Sequence, residues 1–165
     1  MLKPMNQNLR EKIRMYAKNN LDISDLIAGI DIKGEDLSRT IIKKLILDGE
    51  NISDTNFSHA ILGNDVDTIS FLNMKMINCN FDGARFIGKT WMRNCDARNC
   101  NFKNADVSKV DYRNSNFTGA TFCESVIKIN SRGGIGCIFD ANILKELTKY
   151  WDVDIELKPR SKEKI

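Results

Sequence analysis

Large apolar residues recur at every fifth position through most of this chain of 165 residues. The repeat is clearest over residues 71–127, in units such as Cys79-Asn-Phe81-Asp-Gly and Ser115-Asn-Phe117-Thr-Gly. Each unit holds a small residue, a polar residue, a large apolar centre, and then polar residues or glycine. A period of five matches neither the 3.6 residues of a helical turn nor the alternation of a flat strand. The pattern therefore indicates a repeat architecture.

These units resemble the pentapeptide-repeat family, and the resemblance covers roughly two-thirds of the chain. It implies a mainly β fold, a right-handed quadrilateral parallel β-helix of about five coils with four repeats in each. The flanking sequences predict an N-terminal capping helix and a C-terminal helix plus short strand. The predicted segments are a capping helix over 1–20, the β-helix over 21–128, a C-terminal capping or dimerisation module over 129–158, and a disordered tail over 159–165.

If every fourth repeat lies above the last, the apolar centres form four columns. From Ile27 to Leu62 the period is regular, after which we place a centre one residue early, at Val66, and an extra residue near Trp91. This register puts Phe57 in the same column as Met76. It also puts three phenylalanines of the later coils in one column: Phe81, Phe102 and Phe122. Successive coils should lie about 4.8 Å apart, as strands do in a parallel sheet.

Two other positions in each repeat are constrained by this geometry. The residue two before each centre must also point inward, and in the later coils it is usually Ala, Cys, Ser or Val. Glu35 and Glu50 break that rule, so we expect the first coils to be less regular. The residue two after the centre is often Gly or Asn, the types that best tolerate corner backbone conformations. His59, the only histidine, falls at such a corner.

Residues 6–19 have the pattern of an amphipathic helix, with Leu9, Ile13 and Tyr16 on one face and Lys and Arg on the other. Because a β-helix exposes apolar core and unpaired backbone at each end, we interpret this helix as a lid over the first end. The alternative is a basic helix that contacts nucleic acid or a membrane, but it carries few basic residues for that task.

In this interpretation the repeats stop after Ile127. Asp140 can cap a helix over residues 141–151, and residues 153–157 alternate as an edge strand would. This module would either close the second end or join two copies. Resemblance to gyrase-targeting family members, which are dimers joined through C-terminal elements, implies the homodimer.

Charge and cysteine content narrow the expected partners and location. The net charge is +3, but residues 20–127 carry twelve Lys and Arg against fifteen Asp and Glu, and the basic excess lies at the two ends. Direct nucleic-acid binding is therefore not expected. With no apolar run of about 20 residues and no signal peptide, we expect a cytoplasmic protein that does not enter the membrane. The five cysteines then favour buried free thiols over disulfides or a zinc site.

Outward positions supply the candidate interaction surface, together with the predicted C-terminal helix. Ile41 and Ile61 precede centres and form either a partner surface or, as we favour, the landing site of a terminal helix. Arg93 and Arg113 should stack on one face, where interleaved aspartates make a solvated mixed surface the default. The complete set of candidate residues is Ile41, Ile46, Ile61, Arg93, Arg98, Arg113, Leu144 and Trp151.

No catalytic residues, metal ligands or cofactor motif can be assigned, so the chain is not expected to be an enzyme. The first function hypothesis is a non-catalytic, rigid scaffold that binds a protein partner. The alternative, implied by the resemblance, is a DNA mimic that binds DNA gyrase or another type II topoisomerase and modulates or protects it. This chain differs from such members because its repeats are only mildly acidic and because no long projecting loop is predicted after Leu62. A third, weaker hypothesis is ligand binding or catalysis by residues 131–158.

Overall fold

The computed structural model describes residues 1–122 and 137–139. Short parallel strands stack into a β-solenoid with few helices, which confirms the predicted fold class. The N-terminal elements are β1 (Lys3–Pro4), α1 (Gln7–Lys18), α2 (Ser24–Ile27) and β2 (Ile30–Asp31). The body contains β3 (Ile41–Ile42), β4 (Leu45–Asp48), β5 (Ile61–Leu62), β6 (Ile69–Leu72), β7 (Arg85–Phe86), β8 (Thr90–Arg93) and β9 (Val110–Asp111).

The repeats form a four-sided prism whose levels follow one another along the axis. Side 1 is the sheet β3-β5-β7, and side 2 is the sheet β4-β6-β8-β9, all with parallel neighbours. Sides 3 and 4 are held by single parallel bridges. On side 3 the bridges run Asn51–Lys75–Asp96–Asn116, and on side 4 they run Asp36–Asn56–Asn80–Asn101–Thr121.

The phenylalanine column that the period predicts is confirmed. Phe81 stacks on Phe102 with ring centroids 5.0 Å apart, and Phe102 stacks on Phe122 at 4.9 Å, with the rings within 7° of parallel. Phe57 continues the column below, 5.1 Å from Phe81. Offset parallel rings at this separation add favourable contacts to the burial of their area.

The predicted centre at Val66 is wrong, and so is the register of the columns before Phe71. Val66 is 91% exposed, because residues 63–68 leave the prism as a loop between β5 and β6. The interruption is an insertion, where we had placed a deletion. Phe57 therefore lies below Phe81 and not below Met76. Val66 fitted the pattern only because an apolar residue happened to stand near the expected place.

The expectation that the repeats stop after Ile127 is also wrong. Ile138 forms a parallel bridge with Asn116, and the Phe139 ring stacks on Phe117 with centroids 5.3 Å apart. The sequence Cys137-Ile-Phe139-Asp-Ala has the pattern of a repeat unit, so the sequence itself indicates a repeat after Ile127. The remaining predictions for the C-terminal module, including Leu144 and Trp151, fall outside the described residues.

The small inward residues two before each centre are buried as predicted, and several also form hydrogen bonds. Cys100 Sγ donates to the carbonyl oxygen of Met76 at 2.8 Å, and Ser115 Oγ donates to that of Met92 at 2.7 Å. Thr55 Oγ1 lies 2.7 Å from the carbonyl oxygens of both Ile32 and Ile52. These side chains satisfy buried carbonyl groups at the inner corners, so their polarity matters as much as their size.

Glu35, one of the two exceptions to the inward rule, has a specific partner. Arg10 of α1 donates two hydrogen bonds to its carboxylate, Nε to Oε2 at 2.8 Å and Nη2 to Oε1 at 2.5 Å. The helix begins at the Asn6 cap, whose Oδ1 accepts from the Leu9 N–H at 2.9 Å, and it buries Ile13 against the prism core. The amphipathic helix and its apolar face are thus confirmed.

The corner positions two after each centre adopt the left-handed backbone conformation, as the Gly and Asn pattern predicts. Asn78, Asn99 and Asn104 have φ between 56° and 60°. His59 occupies the same kind of corner with φ of 56°, which confirms its predicted placement. It makes a turn that favours Gly and Asn but does not exclude other residues.

Thr90 offers a stability test, because its buried hydroxyl has no hydrogen-bond partner among the described residues. It lies in register with Ile69 and Val110, two apolar side chains. Thr90→Val should raise the free energy of unfolding by about 1 kcal/mol, because it removes an unsatisfied polar group without changing shape. Thr55→Val is the matched control and should lower it by about 1–2 kcal/mol. Equal effects of the two changes in urea unfolding would contradict this assignment.

The buried Cys95 thiol predicts a loss of stability at high pH. Burial raises the pKa of Cys95 from 9.0 to about 11, while its Sγ donates to the Phe71 carbonyl oxygen. Above about pH 9 the unfolded chain loses this proton and the folded chain keeps it. The contribution of the buried thiol to the free energy of unfolding is therefore intact below pH 9 and lost toward pH 11. Cys95→Ser keeps the donor and should flatten this decline by up to about 1.4 kcal/mol per pH unit. Identical pH profiles of unfolding for the unchanged protein and Cys95→Ser would refute this role of Cys95.

Candidate interaction surface

The exposed large apolar side chains between residues 22 and 122 are concentrated on one side, and Ile138, 51% exposed, lies beyond them on side 3. Within residues 22–122 they are Ile46 at 64% exposure, Val66 at 91% and Trp91 at 37%. Ile46 and Trp91 belong to side 2, and Val66 stands on the loop at the corner where side 1 meets side 2. A cluster of this kind marks an interaction site more often than scattered single residues do. We call side 2 with its corner loop, residues 63–68, the side 2 surface.

Strand register explains how side 2 presents these residues. The outward residues of its four strands lie in one row, Ile46–Ser70–Trp91–Asp111. A second outward row contains Asp48, Leu72 and Arg93. Ser70 is only 3% exposed although it lies in this outward row, so it is covered by its neighbours.

A charged cluster adjoins the apolar patch toward the later levels. Arg93 and Arg113 both form ion pairs with Asp111, with Arg113 Nη2 2.9 Å from Asp111 Oδ2. The Arg93 guanidinium also lies 5.2 Å from the centre of the Trp91 ring, a cation–π distance. Partial burial alone would raise the pKa of Asp111, but the hydrogen bonds from Arg113 and Arg93 outweigh it and hold that pKa below its usual value. Two guanidinium groups share one carboxylate, which leaves a positive excess.

The corner loop is tied down at both ends and at its centre. Asn64 Oδ1 accepts hydrogen bonds from the backbone N–H groups of Val66 at 2.7 Å and Asp67 at 2.5 Å. Asn64 Nδ2 donates to Asp67 Oδ2 at 2.9 Å. A Cβ atom added at Gly88 would overlap the backbone oxygen of Asn64, so the loop packs directly on the next level. Val66 is therefore held outward by a defined turn.

Comparison with known proteins agrees with the geometry of the prism. A family model described as pentapeptide repeats matches eight copies, over residues 89–119 and 100–127. Residues 89–127 are thus recognised as pentapeptide repeats. The comparison with curated proteins gives no match.

Three solved structures illustrate what this chain is similar to. A pentapeptide repeat protein from the thylakoid lumen of Arabidopsis thaliana is 19% identical with a TM-score of 0.30, covering 61% of this chain and 69% of its own. QnrB1, a plasmid-mediated fluoroquinolone resistance protein, is 18% identical with a TM-score of 0.28, covering 79% and 83%. HetL, involved in heterocyst differentiation regulation in Nostoc, is 14% identical with a TM-score of 0.18, covering 58% and 65%.

The predicted candidate residues divide among three sides of the pentapeptide-repeat prism. Ile46, Arg93 and Arg113 lie together on side 2, and the predicted stacking of the two arginines on one face is confirmed. Ile41 and Ile61 pair with each other on side 1, where both are partly buried. Arg98 lies on side 3, where it forms hydrogen bonds of 2.7 and 2.8 Å with Asp96.

Sequence analysis missed Trp91 and Leu72 as surface residues. Trp91 precedes the centre Met92, which is the outward position of a repeat, so the signal was present. The period is interrupted by one residue at this place, which obscures the outward position of Trp91. Leu72 follows the centre Phe71 and points outward by the same rule.

Side 4 has a polar surface, in contrast with side 2. Its outward row is an amide ladder in which Asn101 donates to Asn80 at 3.1 Å, Asn80 to Asn56 at 3.2 Å, and Asn56 to Asp36 at 3.0 Å. The same side-chain oxygens accept from backbone N–H groups two residues on, as in Ser58 to Asn56 at 3.1 Å. These groups are occupied with each other, and the row contains no large apolar side chain.

The described residues contain no helix that is long and apolar enough to cross a membrane. They also contain no group of three or more His, Cys, Asp or Glu arranged to hold a metal ion.

Gly88 provides a test of how firmly the corner loop is docked. Gly88→Ala should lower the free energy of unfolding by about 2–4 kcal/mol, because backbone overlap with Asn64 adds to the strain of a positive φ. Gly49→Ala is the matched control: Gly49 has φ of 72° but open space around its Cβ position. It should cost only about 1 kcal/mol. If chemical denaturation gives the same loss for both variants, the loop does not pack as described.

Proposed function

We propose that this protein is a non-catalytic scaffold that binds a protein partner through the side 2 surface. The observation that supports it is the concentration of Ile46, Val66 and Trp91 on one side and its corner, beside the Arg93–Asp111–Arg113 cluster. Aromatic residues and arginine are the types most enriched in interface centres. Exposed apolar groups of this size cost solubility unless a partner covers them.

The prism suits this task because its surface is rigid before a partner arrives. The backbone of each level is bonded to the levels on either side, and the interior is filled by side chains with no exposure. A surface that is already ordered loses little conformational entropy on binding. The scaffold function needs no cofactor, since binding draws only on shape, apolar area and charge.

The alternative, occupation of the DNA-binding site of a type II topoisomerase as a DNA mimic, has less support from the described surface. Mimicry needs rows of negative charge spaced like phosphates. The outward row of side 4 has one carboxylate, Asp36, followed by three asparagines, and side 2 carries arginines. A supercoiling assay with purified gyrase, with and without a quinolone, tests it: an effect at micromolar protein would favour mimicry over the proposal.

The homodimer through residues 129–158 and the cytoplasmic location remain predictions. Neither is needed for the scaffold function. Partner binding through side 2 uses none of residues 129–158, so it is compatible with a dimer formed through them.

Site-specific photo-crosslinking in the cell of origin tests the scaffold function. A photoreactive amino acid placed at Ile46 on side 2 should give a discrete protein adduct, because this side chain is 64% exposed within the proposed interface. The same group at Arg98 on side 3 is the matched control and should give none. An absence of adducts at both positions, or an equal yield of the same adduct, would count against the proposal.

A further inference from the structure

We propose that the partner contacts the side 2 surface through a short acidic segment that carries an apolar anchor residue. This inference rests on the proposed function and specifies the chemistry of the partner. The apolar anchor would cover Ile46, Leu72 and Trp91. The carboxylates would face Arg93 and Arg113 at the later levels of the same side.

The size of side 2 favours a segment over a large docking surface. Four strands about 4.8 Å apart, each with outward residues spread over about 10 Å, give a face of roughly 200–300 Å². A stable complex between globular proteins buries about 800 Å² on each partner. Side 2 by itself is thus too small for a second copy of this chain or for a broad globular partner. It is large enough for an extended or helical peptide lying along the prism axis.

Basic side chains gather around Trp91 and the levels after it. Among the described residues these are Lys89, Arg93, Lys109 and Arg113, which lie with Asp111 on side 2 and with Asp65 and Asp67 of the corner loop. Lys89 and Lys109 stand at the corner of sides 1 and 2, and neither has a carboxylate of the described residues within ion-pair distance. Lys89 lines an open cleft beside the corner loop, as does Lys109.

The earlier levels have no comparable pair of guanidinium groups on side 2. Asp48 lies in the outer row next to Leu72, and Lys43 and Lys44 stand at the corner between side 1 and side 2. A segment whose apolar anchor lies over Ile46 and whose acidic residues lie toward Arg113 therefore matches the apolar part of side 2 and its two guanidinium groups.

The Arg93–Asp111–Arg113 cluster is the most specific element of this arrangement. Arg93 is held over the Trp91 ring and by Asp111, so its guanidinium is positioned before any ligand binds. Arg113 Nε and Nη2 also bond Asp111, at 3.0 and 2.9 Å. Both guanidinium groups are still about a third exposed and keep further N–H donors for a carboxylate of the partner.

Fluorescence polarisation with the full chain and three labelled synthetic peptides tests the inference. The first peptide has a leucine and tryptophan anchor followed by glutamates, the second has lysines in place of the glutamates, and the third has serines in place of the anchor. Only the first should bind, and its affinity should fall as salt is raised. Trp91→Ala and Arg113→Glu should each weaken it about tenfold or more.

Arg98→Glu is the matched control, since it reverses a comparable arginine on side 3, and it should leave binding unchanged. Circular dichroism and thermal unfolding must show that each variant is folded. Binding of the lysine peptide as tightly as the glutamate peptide, loss of affinity in Arg98→Glu, or no binding of the first peptide would each overturn the acidic assignment. A crosslinked adduct at Ile46 without peptide binding would retain the scaffold function and reject only this partner chemistry.

Discussion

Backbone hydrogen bonds between successive levels are the constraint on which the rest of this structure depends. The N–H groups of Phe57, Phe81 and Phe102 each donate to a carbonyl oxygen of the next level at 2.7 Å. Such bonds fix the spacing between levels at about 4.8 Å, so every side chain lies above one of the same repeat position. Ring stacks on ring and small residue on small residue. The interior of the described levels is filled by side chains as a result.

The same constraint orders the polar groups in a single direction. On side 4 and at the corners after sides 2 and 3, asparagine amides donate to the level before them, and each of these rows ends on an acceptor-only carboxylate. The three rows end at Asp48, Asp36 and Asp54. Because a carboxylate cannot donate, it fixes which way the amides above it point. Inside, thiols and hydroxyls satisfy corner carbonyl groups in the same manner, and Thr90 is the exception.

Both departures from the five-residue period between residues 27 and 122 fall at one corner of the prism. The loop over residues 63–68 and the extra residue near Lys89 both lie between side 1 and side 2, and the backbone of Gly88 packs on Asn64 of that loop. A regular repeat would have made this corner like the others. Departures from local regularity in an otherwise consistent fold are expected at functional positions. That these two border the apolar and arginine-rich side agrees with an interaction role there.

The amino-acid sequence by itself determined the repeat, the inward and corner positions, the amphipathic N-terminal helix and the column of Phe81, Phe102 and Phe122. These follow from local spacing, which one chain records directly. It could not distinguish a deletion at Val66 from an insertion, because any apolar residue near the right place satisfies a period. Only the stacking of Phe57 under Phe81 decided that, since ring packing depends on which levels are neighbours. Likewise, Ile46, Trp91 and Arg113 are far apart in the chain, and only the tertiary register brought them onto one side.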